Sequence, residues 1–343
     1  MAGLIPYNLD FDIVNDTQKV VTSTWSNNTN NLTTAHTASA QAIFSNATSS
    51  GAFFIDVYNE ATSSTSAAVQ YSVAYGHKNG SGSLNFTNDT GAKGNSATKV
   101  IYNQYRQLVY GDEGSNFQFN DYTPDAIYVI NVNRARYKHN LKPSTLDLQL
   151  SGSGLAHHLH LTDDSITQTG SAVATNIGRQ YNIVSGSSGI MSGSTLTQVA
   201  GSGSYGFFYP DAGIAILNAS AVSASLTSLN PTNIDNATPE GPQKLFNAIS
   251  GAGSFILDSE EKVSSQYYFT RVKNYEFNYT TNPSFINSAG NVRYDSMIDN
   301  PKTFITTVGL YNASGDLVAV AKLSQPVAKD FTKEALIRVK LDY

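Results

Sequence analysis

Three histidines and two aspartates stand close together near the middle of the chain. The run His157–His160 (sequence HHLH) is followed by Asp163 and Asp164. If this run forms a strand, His158 and His160 share a face, and two imidazoles with a carboxylate could bind Zn²⁺ or a similar ion. The alternative is a set of polar residues on a solvated strand and turn. Because no third ligand stands at a recognised spacing, we expect no bound metal; the candidate ligands are His158, His160 and Asp163.

Two further patterns match known chemistry only in part. The segment Gly201–Gly206 reads G-x-G-x-x-G, which in dinucleotide-binding proteins follows a strand and opens a helix. Here a Phe-Phe-Tyr-Pro run follows and predicts no helix, so we expect no nucleotide. The acidic pairs Asp163–Asp164 and Glu260–Glu261 could suggest a glycosidase, but adjacent residues on a strand point to opposite faces. We therefore predict a non-enzymatic protein with no catalytic residues and no cofactor.

The composition excludes several functional classes. The 343 residues include no cysteine, carry a net charge of −5, and are only 14% charged. Without cysteine there is no disulfide framework and no thiolate ligand for a metal. The negative charge gives no electrostatic reason to bind nucleic acid. No segment has the length of an apolar membrane span, and the first residues lack the pattern of a signal peptide. We therefore expect no nucleic-acid partner, no membrane partner and assembly in the cytoplasm.

Hydrophobic periodicity predicts a small set of helices among many strands. The polarity missing from charged residues is carried by Ser, Thr and Asn, which favour strands and turns over surface helices. A helix is predicted over 98–110, where Ile101, Tyr105 and Leu108 share a face and Gly111 follows as a stop. A second helix is predicted from Pro242 to Gly251. The apolar run 126–132 predicts a strand that is buried on both faces.

The last part of the chain has the most regular strand pattern. Residues 304–311 and 317–323 are apolar runs separated by a turn that contains Gly315, which predicts a hairpin. In the final run Ile337, Val339 and Leu341 alternate with charged residues, which predicts a strand docked in a sheet.

We predict a mainly β fold (a β-rich α+β protein) with a few short helices, arranged as β-sandwich-like modules with an extended N-terminal arm. The predicted division has four parts: an arm over 1–50, a β-rich module with one helix over 51–150, a Gly/Ser-rich β module over 151–240, and a C-terminal antiparallel sheet module over 241–343 that packs with 51–150.

The C-terminal hairpin also carries a resemblance to a known group of proteins. Asn300–Asn312 leads into Gly315–Ser324, and the pattern TxVGLYN…GDLVAVAKLS resembles virion structural proteins of contractile-tailed phages, notably the T-even-like myoviruses of marine cyanobacteria. Segments 73–77, 101–106 and 126–136 fit the same group. The resemblance spans about residues 50–343 and carries no active site. The His157–His160 run matches no pattern of the group.

The resemblance implies a structural component of a phage tail, at the baseplate or the tail-fibre attachment. Its partners would be other virion proteins and copies of itself, forming a homo-oligomer within a symmetric particle, and its location would be the virion. A neck, collar or head-decorating virion protein is the alternative within this class. Outside it, the alternatives are a glycan- or receptor-binding module and a cell-wall or polysaccharide hydrolase, for which the sequence offers no motif.

Assembly would place functional residues on surfaces rather than in a pocket. Strand edges and aromatic side chains would pair with neighbouring subunits, and the arm would bind an adjacent copy. For the final strand, the alternative is plain intramolecular core. If the arm binds an adjacent copy, deleting residues 1–45 should leave a folded monomer that no longer joins the particle. The predicted assembly residues are Tyr7, Phe11, Trp25, Ile337, Val339, Leu341 and Tyr343.

Overall fold

The computed structural model describes residues 4–37, 54–80, 98–167, 173–192, 204–230, 240–278 and 283–343. Strands dominate these ranges, so the mainly β fold with a few helices is confirmed. The helices are α1 (Thr98–Tyr110), α2 (Ala219–Ser225), α3 (Glu240–Ala252) and α4 (Ser296–Asp299). The strands are β1 (Ile13–Ser23), β2 (Asn31–Leu32), β3 (His36–Thr37), β4 (Phe54–Tyr58), β5 (Val69–His77), β6 (Ala126–Val132), β7 (Asn140–Leu141), β8 (Asp147–Leu150), β9 (Leu159–Asp163), β10 (Val173–Thr175), β11 (Gly178–Ser187), β12 (Ile190–Met191), β13 (Gly206–Tyr209), β14 (Ile214–Asn218), β15 (Phe255–Ile256), β16 (Asp258–Val272), β17 (Thr303–Tyr311), β18 (Leu317–Lys329) and β19 (Ala335–Asp342).

The chain divides into two compact units. The larger unit is Val20–Glu261, and the smaller unit combines Met1–Lys19 with Lys262–Tyr343. This division differs from the four predicted segments, because the two modules predicted over 51–150 and 151–240 lie in one unit. The extended arm predicted over 1–50 is not confirmed. Its described residues supply β1, β2 and β3, and each of these strands takes part in a sheet.

The larger unit is built on one sheet of 13 strands, in which every described pairing is antiparallel. The strand order is β2-β15-β8-β9-β11-β13-β14-β6-β5-β4-β3, with β10 and β12 each paired to β11. In β6, Tyr128 and Ile130 pack into one hydrophobic cluster, whereas Ile127 and Val129 pack into another. The sheet is therefore covered on both sides, and the prediction for 126–132 is confirmed.

Helices α1 and α3 agree with the sequence prediction in extent. Helix α1 spans Thr98–Tyr110, and Gly111 follows it with a φ of 69°, a conformation that glycine adopts without strain. Its buried face differs from the predicted one, because Tyr102 and Val109 are buried with Ile101 whereas Leu108 is 40% exposed. Helix α3 begins at Glu240, two residues before Pro242, and contributes Leu245, Phe246 and Ile249 to the core.

The smaller unit packs a hairpin against a sheet. Residues 265–272 of β16 pair with β19 in antiparallel register, and the same sheet contains β1. Strands β17 and β18 form the predicted hairpin, which confirms that element. Val308 and Leu310 of the hairpin pack against Ile337 and Val339 of β19. This packing of two β layers gives the smaller unit the sandwich-like character predicted from the sequence.

Candidate functional site

An exposed apolar surface lies on the hairpin β17–β18 of the smaller unit. One face of the hairpin is filled by Val308 and Leu310, which are buried. On the solvent side the exposed fraction is 63% for Phe304, 68% for Val318 and 57% for Val320. Burial of apolar side chains is the main favourable term in protein association. We call this surface the hairpin patch and define it as Phe304, Tyr311, Leu317, Val318 and Val320.

The backbone of the same hairpin is also available for pairing. Within the described residues, β17 and β18 form a sheet of two strands and pair only with each other. A strand at a sheet edge exposes unpaired N–H and C=O groups, and such edges accept a further strand from another chain. The hairpin therefore combines exposed apolar side chains with two strand edges that pair with no other described strand, a combination that monomeric proteins usually avoid.

Three predicted assembly residues of the final strand do not lie on an exposed surface. Ile337 and Val339 are 7% and 6% exposed and pack in the core of the smaller unit, with Leu341 partly buried beside them. The alternating pattern that suggested an interface reflects intramolecular packing, so the assignment of these residues to assembly is wrong. Tyr343 differs, since its backbone pairs with Ser264 while its side chain is 70% exposed.

Tyr7 and Phe11 lie beside an open groove of about 740 Å³ in the smaller unit. The Tyr7 hydroxyl is hydrogen-bonded to the hydroxyl of Thr270, and its ring packs edge-on against Tyr268. Phe11 has no comparable packing and is 78% exposed. Arg271 also lines the groove. Phe11 thus presents an exposed aromatic ring beside the groove, whereas Tyr7 mainly attaches the N-terminal segment to β16.

Trp25 was predicted as an assembly residue, and this prediction is wrong. The side chain is 2% exposed and lies in the core of the larger unit. Its indole Nε1 donates a hydrogen bond of 2.8 Å to the carbonyl oxygen of Phe255. The ring centroid lies 4.9 Å from that of Phe255 and 6.0 Å from that of Tyr71. An indole that is packed and hydrogen-bonded in this way has no surface to offer a neighbouring subunit.

The histidine run lines an open cleft of about 720 Å³ in the larger unit. His157 and His158 are exposed just before β9, and His160 is on that strand. The Nδ1 atom of His160 lies 3.6 Å from Oδ1 of the buried Asp147. The other oxygen of Asp147 accepts a hydrogen bond of 2.6 Å from the hydroxyl of Ser187. The cleft thus has both polar and apolar lining residues, and one of them, His160, faces the carboxylate of Asp147.

The order of these contacts does not match a nucleophilic site. In a Ser-His-Asp triad the hydroxyl donates to the imidazole, which then accepts the proton as general base. Here the Ser187 hydroxyl donates directly to the Asp147 carboxylate. The imidazole of His160 thus faces the same carboxylate rather than the hydroxyl, so it is not placed to activate Ser187.

The candidate metal ligands His158, His160 and Asp163 are not brought together. Asp163 is completely buried and accepts hydrogen bonds from the backbone N–H of Ser144, at 2.8 Å to one oxygen and 3.1 Å to the other. Burial raises the pKa of Asp163, although hydrogen bonds from Ser165 and Ser144 oppose the shift. Among the residues that the structure describes, no three His, Asp or Glu side chains form a metal-binding group.

The acidic pairs and the glycine-rich segment make structural contacts where the structure describes them. The Asp164 carboxylate accepts two hydrogen bonds from Asn182, and Glu261 forms an ion pair with Lys138. Residues 201–203 of the glycine-rich segment lie outside the described residues, while Gly206 begins strand β13 rather than a helix. None of the helices in the described parts of the chain is long and apolar enough to cross a membrane.

Sequence reasoning missed two features of the smaller unit. The hairpin was predicted, but its solvent side was not identified as apolar, because both faces of this segment contain valine or leucine. The second feature is the complete burial of Lys329 at the end of β18, which no local pattern signals.

Comparisons with known proteins give no further assignment: no protein-family model, no curated protein and no solved structure matches the chain.

Proposed function

We propose that the chain is a non-enzymatic structural component of a phage tail, at the baseplate or the tail-fibre attachment, and that it acts by subunit assembly. The observation that carries this proposal is the hairpin patch, together with two strand edges that pair with no other described strand. The sequence of the same hairpin carries the resemblance to virion proteins. A neighbouring subunit would cover the apolar side chains and extend the sheet by strand addition.

Phe11 and Tyr343 supply further exposed aromatic side chains in the smaller unit, at 78% and 70% exposure. Tyrosine and phenylalanine are enriched at protein–protein interfaces. Of the seven assembly residues predicted from the sequence, we keep these two in the proposal.

A neck, collar or head-decorating protein would use the same surfaces. The location of the chain in the particle would decide between these roles and a place in the tail.

A glycan- or receptor-binding module is the second candidate. The open cleft at His157–His160 favours it, since serine hydroxyls, imidazoles and the ring of Tyr205 line that cleft. Such groups can hydrogen-bond and stack against a sugar. The single tryptophan of the chain does not contribute to it, because Trp25 is buried in the core. A glycan array probed with the full chain tests this candidate, and absence of binding removes it.

The assembly proposal is tested in phage particles that depend on this chain. The double variant Val318→Ser/Val320→Ser removes apolar surface from the hairpin patch. The matched control is Val173→Ser/Ile190→Ser, which alters two residues of the larger unit that are 55% and 68% exposed. We expect the hairpin variant to be depleted from purified particles at least tenfold and the control to be incorporated normally, as measured by quantitative mass spectrometry. Absence of the wild-type chain from particles would refute the proposal.

A further inference from the structure

Lys329 is an unusual residue of the smaller unit, because it is a cation with no exposed surface. Its exposed fraction is 0%, and among the residues that the structure describes no other lysine or arginine is buried. No carboxylate of the described residues lies within ion-pair distance of its ammonium group. Burying a charge without a countercharge is costly. A residue kept in such a position requires a reason beyond packing, since methionine or leucine would fill the same space.

Neutral oxygen atoms surround the Nζ atom of Lys329. It donates hydrogen bonds of 2.8 Å to the side-chain oxygen of Asn278, 2.8 Å to the backbone carbonyl of Asn274 and 3.1 Å to the carbonyl of Asp330. Asn278 is itself buried, with 3% exposure. The lysine nitrogen is therefore fixed next to the amide carbon of a buried asparagine, shielded from water.

The nitrogen that would leave Asn278 points to the same acceptor as the lysine. The side-chain Nδ2 of Asn278 donates a hydrogen bond of 2.7 Å to the carbonyl oxygen of Asn274. One oxygen thus accepts from both the Nζ of Lys329 and the Nδ2 of Asn278. The attacking nitrogen and the leaving nitrogen are thus both positioned by the same carbonyl group, and such fixed positioning favours a reaction between the two side chains.

The backbone around Asn278 is held in a specific conformation. The preceding residue, Phe277, has a φ of 51°, in the left-handed region that bulky residues rarely adopt. Its carbonyl oxygen accepts a hydrogen bond of 2.7 Å from the hydroxyl of Thr303, at the start of β17. Strained backbone of this kind persists only where surrounding contacts enforce it, and it clusters at functional sites.

We propose that Lys329 and Asn278 form an intramolecular isopeptide bond. The Nζ of Lys329 attacks the side-chain carbon of Asn278, the new C–N amide bond forms, and the bond between that carbon and Nδ2 breaks. The lysine ammonium gives up two protons, and both leave on Nδ2, which departs as ammonium. Charge and atoms balance without an oxidant, a reductant or a further reactant. The product is a neutral secondary amide, so the buried positive charge disappears.

The bond would join the end of β18 covalently to the segment that follows β16. Both lie in the smaller unit, which carries the hairpin patch, so the cross-link would hold the hairpin in place under mechanical load. A cross-link that closes a loop also restricts the unfolded chain. This inference does not depend on the proposed function, because the bond forms within one chain.

The test is the intact mass of the purified full chain, measured by mass spectrometry under denaturing conditions. We expect the wild-type mass to fall below the sequence mass by one ammonia. Proteolysis should then give one branched peptide that contains both Lys329 and Asn278. A wild-type chain that keeps the full sequence mass after prolonged incubation of the folded protein overturns the proposal and leaves Lys329 as a hydrogen-bonded structural cation.

Variants separate this bond from other losses of ammonia. Lys329→Arg keeps the charge but offers no amine, so its mass should equal the mass of its sequence. Asn278→Asp replaces the amide by a carboxyl group, and bond formation there would release water instead of ammonia. The matched control is Lys322→Arg, an exposed lysine on the same strand, which should retain the deficit. A deficit that persists in Lys329→Arg would also overturn the proposal, because it would arise elsewhere in the chain.

Discussion

At the scale of a single residue, the buried Asp163 should make the free energy of unfolding depend on pH. Burial raises the pKa of this carboxyl group above its ordinary value of 3.8. Between 3.8 and the raised pKa, the native state binds more protons at this site than the unfolded state does. The contribution of Asp163 to the free energy of unfolding therefore decreases as the pH rises through this window, and it is constant above the window.

The variant Asp163→Asn isolates this contribution. Asparagine cannot ionise, so the difference in unfolding free energy between wild type and variant should fall as the pH rises from below 3.8 and then level off. Urea unfolding across a pH series measures the difference. A difference that is flat throughout, or that rises with pH, would show that burial does not raise the pKa of Asp163.

Single buried residues were the hardest features to foresee from the sequence. Trp25 occurs in a polar segment without hydrophobic periodicity, and its partner Phe255 is 230 positions away. Lys329 ends a strand whose alternate residues are exposed, and its acceptors Asn274 and Asn278 come from a separate loop. Both burials depend on contacts between distant parts of the chain. Local pattern carries no information about such contacts, so an exposed arm was the natural but incorrect prediction for Trp25.

At the scale of elements, the sequence predicted the helices and strands that have strong local signals, such as a glycine stop or a glycine-containing turn. Helix α1 has the predicted bounds, since Gly111 ends it with a positive φ. The hairpin formed as predicted because a glycine-containing turn separates two apolar runs. The buried face of α1 was less predictable. It depends on how closely the helix approaches β5, and this distance is set by tertiary packing rather than by helical periodicity.

The contact between α1 and β5 depends on the absence of a side chain at Gly76. A Cβ atom built there would lie 2.8 Å from the backbone nitrogen of Tyr102 and 3.0 Å from its Cα atom. Because these are backbone atoms, the helix itself would have to move. We expect Gly76→Ala to lower the free energy of unfolding by about 1–3 kcal/mol, as overpacking does in other cores.

The control for Gly76→Ala is Gly114→Ala, where the added Cβ would meet nothing closer than the Asp112 carboxylate at 3.4 Å. This change should have little effect. Chemical denaturation followed by circular dichroism compares the two variants with wild type. Equal stability of both variants would mean that α1 does not rest closely on β5.

At the scale of the whole molecule, the N-terminal residues belong to both compact units. The unit boundary at 19/20 lies within β1, so the residues before it belong to the smaller unit and those after it to the larger. Tyr7 contacts β16 in the smaller unit, while Trp25 and Leu32 pack in the core of the larger unit. The sequence predicted a detachable arm here because the segment is rich in Asn and Thr. Tyr7, Trp25 and Leu32 nevertheless pack in the two cores, although other apolar residues of the segment, such as Phe11, are exposed.

Deleting residues 1–37 should therefore damage folding rather than assembly alone. The deletion removes β1, and it takes Trp25 and Leu32, which are 2% and 7% exposed, from the core of the larger unit. Truncation of a buried tryptophan alone costs about 3–5 kcal/mol, a large part of a typical stability of about 5–15 kcal/mol. We expect the truncated chain to lose its cooperative thermal transition, as measured by circular dichroism. The control deletes only residues 1–5, of which Leu4 is 65% exposed, and should melt like the full chain. If the longer deletion also melts like the full chain, the segment is an independent arm after all, and its loss would test assembly directly.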